Sequence, residues 1–288
     1  MLTPLQEKDF DKYIDFAYAL ALIPEKTSYP AYFDGVKTKA EFVEGARDAF
    51  SQPDEEILLY LENGRAEGWI HSYATPKERY VGQVSCSFRR GASAALDEYA
   101  AYLAEKYPGY DWEMSFPAAN REVLDWLART PGFTPLEHSR HYQMLFDQYT
   151  PAPEEPGVER ITEENFEKFR RIHQTIDSNM YWNAQRILND LPNWDLYVAE
   201  EGGVAGEVAS VYQGGGCYHP YAIAFSDGAF HEGLCRRLMI RAMNEGKAKG
   251  AVYLPFFVDA AGERELDEMM PGLGFQLIGE FAAYRKKI

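Results

Sequence analysis

The sequence predicts two similar α/β (α+β) domains in tandem, and three observations carry that expectation. The same order of helix and strand signals occurs twice, a proline-rich segment separates the two runs, and each run closes on a Gly-Phe pair followed by a strand pattern. The separating segment is Thr150-Pro-Ala-Pro-Glu-Glu-Pro-Gly157, whose three prolines, two acids and glycine read as an extended, solvated connection. The expected division is residues 1–149, a linker at 150–157, and residues 158–288.

Each copy opens with an amphipathic helix pattern. Leu5, Phe10 and Tyr13 in the first match Ile161, Phe166 and Phe169 in the second, with acids between them. Thr3-Pro-Leu-Gln6 reads as a capping box with proline at the first helical position, and Thr162 as the N-cap of the second copy. Two strands joined by an acidic glycine turn follow: 56–64 then 68–73, and 195–203 then 206–212. A third strand comes next, at 81–88 and 217–225. The helix after it carries Leu96, Tyr99, Leu103 and Tyr107 in one copy, and Leu234, Leu238 and Ala242 beside Met239 and Met243 in the other. A buried strand (111–116; 252–258), a helix, Gly132-Phe133 or Gly274-Phe275, and a last strand (141–146; 281–285) complete each copy.

Composition narrows the function. The net charge of −16 is spread as −9 over residues 1–150 and −7 over the rest, so neither half offers the basic footprint that a phosphate backbone needs. A nucleic-acid partner is disfavoured, and an amine-bearing partner suits the field better. Cys86, Cys217 and Cys235 are odd in number and far apart, which argues against a disulfide framework and against a zinc site. No leader pattern and no apolar run of membrane-spanning length occurs, so a cytoplasmic protein without a membrane partner is expected.

The element order resembles that of the GNAT (GCN5-related N-acetyltransferase) superfamily, in its two-domain tandem form. The best local match is Tyr221-Ala-Ile-Ala-Phe225, a short loop, and Phe230-His-Glu-Gly-Leu-Cys-Arg236 leading into a helix. The family pattern there is a strand running into Arg/Gln-x-x-Gly-x-Gly/Ala. The resemblance implies two GNAT-like domains, each a mixed, largely antiparallel sheet flanked by helices. It also implies acyl transfer, with acetyl-CoA as co-substrate and no metal, onto an amine of a small molecule or peptide. The segment Ala224, Phe225, Phe230, His231, Glu232, Gly233, Leu234, Cys235 and Arg236 would then hold the CoA diphosphate, since amides opening a helix attract anions.

Two positions depart from the family. Phe230 stands where Arg or Gln is usual, and Met270 stands where a tyrosine commonly protonates the leaving thiolate. Tyr221, His219 and Tyr218, on the strand ahead of the loop, and Asp259, at the end of the next strand, are the available substitutes, of which Tyr221, His219 and Asp259 are taken as candidates. The aromatic-rich segment from Asp177 to Trp182, with Trp194, lies where similar enzymes roof the acceptor site. The first copy is shorter by four residues between its third and fourth strands, Phe88 to Trp112 against Phe225 to Tyr253, and is read as a degenerate copy. The other functional classes weighed are a non-catalytic CoA or metabolite sensor, favoured by Phe230 and Met270, and an aminoacyl transferase using charged tRNA, opposed by the net charge.

Overall fold

The computed structural model of the chain describes residues 1–28, 38–153, 156–176 and 182–288; residues 177–181 of the aromatic-rich segment and 154–155 of the linker lie outside them. Two compact units are present. The first comprises Met1–Ser139 and Gly279–Ile288, the second Arg140–Ile278. Residues 140–149, which end the first copy, fall in the second unit, and residues 279–288, which end the second copy, fall in the first.

Along the first copy run β1 (Leu2–Pro4), a 3-10 stretch at Glu7–Lys12, α1 (Ile14–Ala21), α2 (Lys39–Asp48), β2 (Glu55–Glu62), β3 (Arg65–Thr75), β4 (Tyr80–Phe88), α3 (Ala92–Lys106), β5 (Asp111–Pro117), α4 (Arg121–Arg129) and β6 (Thr134–Leu145). The second copy has β7 (Val158–Arg160), α5 (Phe166–His173), α6 (Ala184–Asn189), β8 (Trp194–Glu201), β9 (Val204–Gln213), β10 (Cys217–Phe225), α7 (Glu232–Ala248), β11 (Tyr253–Asp259), α8 (Arg264–Met269) and β12 (Gln276–Lys287). In the first unit the strand order is β1-β2-β3-β4-β5-β12, and in the second β6-β11-β10-β9-β8-β7. Neighbours such as β2 and β3, or β8 and β9, are antiparallel, whereas β4–β5 and β10–β11 are parallel. Each sheet is thus mixed and largely antiparallel.

The two hairpins form because Asn63-Gly64 and Gly202-Gly203 supply positive φ at both central positions, as a two-residue turn with right-handed twist requires. The expected capping box at Thr3–Gln6 is not formed. Leu2–Pro4 is instead an edge strand on β2, with Leu2 opposite Tyr60, and no side chain caps the following turn. Pro4 sits at the end of that edge strand, where its missing N–H costs no ladder bond. Thr162 does form a capping box: its side chain accepts from the Asn165 N–H, and its own N–H donates to Asn165 Oδ1 at 2.6 Å.

Alternation along the strands builds two apolar layers in each unit. In the second, Leu196 and Val198 face α5 (Phe166, Phe169, Ile172), while Tyr197 and Ala199 face α7 (Leu234, Leu238, Ala242). In the first, Ile57 and Leu59 lie with Phe10 and Ala17, and Leu58 and Tyr60 with Leu96 and Tyr99. Inside α7 the fit is close at Gly246, where a Cβ would come 2.6 Å from Phe146 Cζ and 2.8 Å from Tyr218 Cδ1. Gly246→Ala should therefore destabilise the chain by about 1–3 kcal/mol through overpacking, although alanine in an open helix would gain about 1 kcal/mol. Denaturant unfolding of the two chains decides which sign holds.

Candidate functional site

The parallel pairs set the geometry. Among the described residues β10 and β11 pair only at their first residues, with Cys217 opposite Tyr253 and the Val252 N–H donating to Gly216 C=O at 2.7 Å. The pair β4–β5 likewise stops after Tyr80–Asp111 and Val81–Trp112. Past these points one edge of β4 and one edge of β10 lack the neighbouring strand, and their backbone groups need other partners.

In the first unit those partners are the chain's own. Thr27 bridges Ser87, the Ser28 N–H donates to Cys86 C=O at 2.7 Å, and the Phe88 N–H donates to Lys26 C=O at 2.8 Å. Thr27 and Ser28 are buried there, and Asn120 Nδ2, at the start of α4, donates to Thr27 C=O at 3.3 Å. Gln83 Nε2 reaches across to Ser115 C=O of β5 at 2.5 Å. The N-terminus of α3 is closed as well, since the Ala92 N–H donates to Glu122 Oε1 at 3.0 Å. A strand edge and a helix end are both self-occupied.

Among the described residues the second unit leaves the same places open. By register Ile223 and Phe225 correspond to Cys86 and Phe88, for Phe225 lies opposite Gly206 as Phe88 lies opposite Gly68. No described segment pairs with the Ile223 C=O and Phe225 N–H along that edge. At the start of α7 no side chain caps the helix; the Cys235 N–H donates to His231 C=O at 2.8 Å, and the amides of Glu232, Gly233 and Leu234 donate to no described group. Gly233 is helical, so what it provides is room: a Cβ there would meet only Glu201 Oε2, at 3.1 Å.

The loop between β10 and α7 is held by itself. Asp227 accepts from the Ala229 N–H at 3.1 Å and pairs with His231 Nε2 at 2.9 Å, and these contacts hold its carboxyl below the ordinary range. The Phe230 ring packs edge-on against Phe225, 6.0 Å between centroids. Arg236 pairs with Glu232 at 3.4 Å on the exposed side of the helix. Cys235 is buried, and burial pushes its thiol up to about 12, so it is packing and not a nucleophile. Ala224 faces the α5 side of the sheet and Leu234 the α7 side.

Tyr221 sits at a β-bulge: Pro220 pairs with Ser210 and Ala222 with Ala209, which leaves Tyr221 as the extra residue. Its ring is half-buried and edge-on to Trp194 (5.7 Å), which is in turn edge-on to Trp182 (5.3 Å). The Trp182 N–H donates to Tyr221 Oη at 3.4 Å. Burial raises the phenol and that hydrogen bond opposes the rise. His219 stands 6.1 Å from Tyr221 between ring centroids and is held down to about 4 by burial, hence neutral at pH 7. Asp259 is not brought to them. Its carboxylate accepts from the Ala261 N–H at 2.9 Å and organises the turn into α8. Met270 is fully buried, so the usual place of the acid is core. Tyr218 is also core, its hydroxyl donating to Asp195 Oδ2 at 3.0 Å.

Sequence reasoning missed a buried ionisable pair, His173 with Glu207. His173 Nδ1 lies 2.6 Å from Glu207 Oε1, and its Nε2 lies 3.0 Å from Trp182 C=O. His173 continues the apolar stripe of α5 and Glu207 directly follows Gly206 within β9, so neither stands out without the tertiary fold. A surface groove of about 730 Å³ lined by Thr162, Glu167, Arg170 and Leu188 includes none of the candidate residues. Among the described residues no cluster of three or more His, Cys, Asp or Glu can hold a metal, and no helix is long and apolar enough to cross a membrane.

No family model matches the sequence, and no curated protein does. Solved structures match over the full length. A GCN5-related N-acetyltransferase from Sphaerobacter thermophilus gives a TM-score of 0.68 at 12% identity, covering 100% of this chain and 95% of that one. A tandem GNAT protein from the clavulanic acid biosynthesis pathway, solved without acetyl-CoA, gives 0.59 at 12% identity, covering 100% and 98%. The glucosamine N-acetyltransferase region of a fungal multi-domain β-N-acetylglucosaminidase gives 0.60 at 9% identity, covering 99% of this chain and 38% of that one. The fold is therefore that of the GNAT proteins, present twice in tandem.

His219 gives the site a pH signature. An unfolded chain holds the imidazole near its ordinary value of about 6.5, above the value of about 4 in the fold. As pH falls, the unfolded chain takes up the proton first, so this contribution to stability is full above the unfolded value and is lost on the way down to the folded one. Between about pH 6.5 and about pH 5 the loss is roughly 2 kcal/mol. Urea unfolding of His219→Gln should show a correspondingly flatter pH dependence over that window; an unchanged slope contradicts the assignment.

Proposed function

We propose that the chain is an acyl-CoA-dependent N-acyltransferase, moving an acetyl or short acyl group from CoA to an amine of a small molecule or peptide at the second unit. The observation that carries this reading is the contrast between the copies: the strand edge and helix end closed by the chain itself in the first unit are open in the second. What fits there is an extended ligand with an amide to pair with Ile223 C=O and Phe225 N–H, ending in an anion at the Glu232–Leu234 amides. CoA has this chemistry, and its use is in keeping with the N-acetyltransferases of the same fold. Glu201, exposed and only loosely paired with Arg237 at 3.8 Å, swings aside to admit the diphosphate.

Acyl-CoA supplies an activated thioester whose carbonyl carbon an amine attacks as the carbon–sulfur bond breaks. The chain's part is to orient and to move protons. Tyr221, accepting from the Trp182 N–H, keeps its own hydroxyl hydrogen to give to the departing thiolate. His219, neutral at pH 7, is the group on the same strand able to accept a proton from the amine. Asp259 remains a turn residue. The aromatic faces of Trp182, Trp194 and Tyr221 suit a cationic or apolar acceptor. Three buried cysteines outside any disulfide suit the cytoplasm.

Buried Met270 favours one other reading, a CoA sensor without turnover. Isothermal titration with acetyl-CoA separates the cases in stages. One site per chain is expected, and no binding at millimolar ligand removes both readings. Gly233→Val should weaken binding about tenfold or more, from loss of close approach, while stability stays nearly unchanged because only the flexible Glu201 carboxylate is near. With a panel of amines, thiol release should be measurable and Tyr221→Phe should lower kcat by roughly 10²- to 10⁴-fold with little change in the KM for acyl-CoA. Binding without thiol release from any amine leaves the sensor.

A further inference from the structure

We propose that the buried His173–Glu207 pair is a positioning device for Tyr221, acting through the backbone of Trp182. The inference rests on the reading of Tyr221 as the proton donor, but its geometry stands independently. Both side chains are fully buried, in a place where ionisable groups are costly. The fold does not require them. In the first unit, Ala17 on α1 corresponds to His173 on α5, seven residues after Phe10 and Phe166 respectively. Trp69 corresponds to Glu207, each following the glycine opposite Phe88 or Phe225. Ala17 and Trp69 are also fully buried and lie in one apolar cluster. The same spot is thus filled once by a small and a large apolar residue, and once by an acid and an imidazole.

Counting protons shows what the pair delivers. Nδ1 meets a carboxyl oxygen of Glu207 and Nε2 meets the carbonyl oxygen of Trp182. A carbonyl only accepts, so Nε2 carries a hydrogen. Nδ1 either donates to a carboxylate or accepts from a carboxylic acid, and both states leave the pair neutral overall with the Nε2–H directed at Trp182. The Trp182 carbonyl is tied to His173 and its N–H to Tyr221 Oη. Its indole is set by Trp194. With Trp182 held on both sides, the phenol oxygen receives a fixed donor, which stabilises it once its proton has left. His173 stacks on Phe169 at 4.8 Å, which fixes the ring plane at the other end.

The test transplants the first unit's solution. The double variant His173→Ala with Glu207→Trp removes both ionisable groups together, so no buried charge is left unpaired. Tyrosines labelled at Cζ with 13C are followed by NMR through alkaline titration, with the Tyr221 signal assigned by its loss in Tyr221→Phe. The midpoint of Tyr221 is expected to rise by about one pH unit in the double variant and to stay near the wild-type value in Glu207→Gln, which can still hold His173. Thiol release should fall about tenfold in kcat with the KM for acyl-CoA unchanged. A Tyr221 midpoint unmoved by the double variant overturns the proposal. Should that variant not fold, the 15N imidazole spectrum of the wild-type chain decides: a hydrogen on Nε2 of His173 at pH 8 supports it, and a bare Nε2 overturns it. Failure of acyl transfer altogether would leave both NMR readouts intact, so the two readings fail separately.

Discussion

A strand edge that has no neighbouring strand carries N–H and C=O groups that each need a partner, whether from the chain, water or a ligand. In both units a parallel strand pair begins and then lapses, at Val81–Trp112 and at Cys217–Tyr253. Everything distinctive about the two copies follows from how the remaining edge is satisfied. The first uses Lys26–Ser28 as a substitute strand, pins it with Asn120, and braces the gap with Gln83. Among the described residues the second gives that edge no substitute strand, with a helix end beside it whose amides point at no described acceptor. The lapsed strand pair is therefore built twice, and filled by the chain itself once.

Much of this fold was legible in the sequence because duplication makes weak signals confirm each other. The glycine-containing hairpin turns, the apolar stripes of α3 and α7, and the Gly-Phe pairs before the last strands each recur at matching places, and positive φ at Gly132 and Gly274 explains why glycine stands there. Short edge strands escaped notice. Leu2–Pro4 and Val158–Arg160 are three residues each, too short for a period-2 pattern, and proline at Pro4 looked like a helix start. The exchange of terminal segments between the units was also invisible, since strand pairing across a long separation in sequence leaves no local mark.

The candidate site was legible in outline only. A loop followed by Gly233 marks the helix end, where the missing side chain leaves room, and a proline beside Tyr221 marks the bulge, because proline cannot donate to the ladder. The roles of side chains were harder to read. Asp259 ended a strand at the right place, yet its carboxylate serves the turn at Ala261. His173 and Glu207 occupy positions that periodicity assigns to the core, and they are in the core; what distinguishes them is the partner each finds, which only tertiary contact supplies. The first copy is the control, since Ala17 and Trp69 show what those positions become when packing alone is at stake.

Net charge poses the opposite problem, for a chain of −16 is asked to hold an anion. The two effects act at different ranges. At physiological ionic strength the screening length is about 8 Å, so distant acids on the surface contribute little at the start of α7, whereas three undonated amides and the helix dipole act at contact. Of the near acids, Asp227 is engaged with the Ala229 N–H and His231, and Glu232 with Arg236, while exposed Glu201 lies 3.8 Å from Arg237. The local field can therefore favour a diphosphate while the overall field draws a cationic amine toward the same unit. Those are the opposite demands of the two substrates in the proposed reaction, met by charge at two different distances.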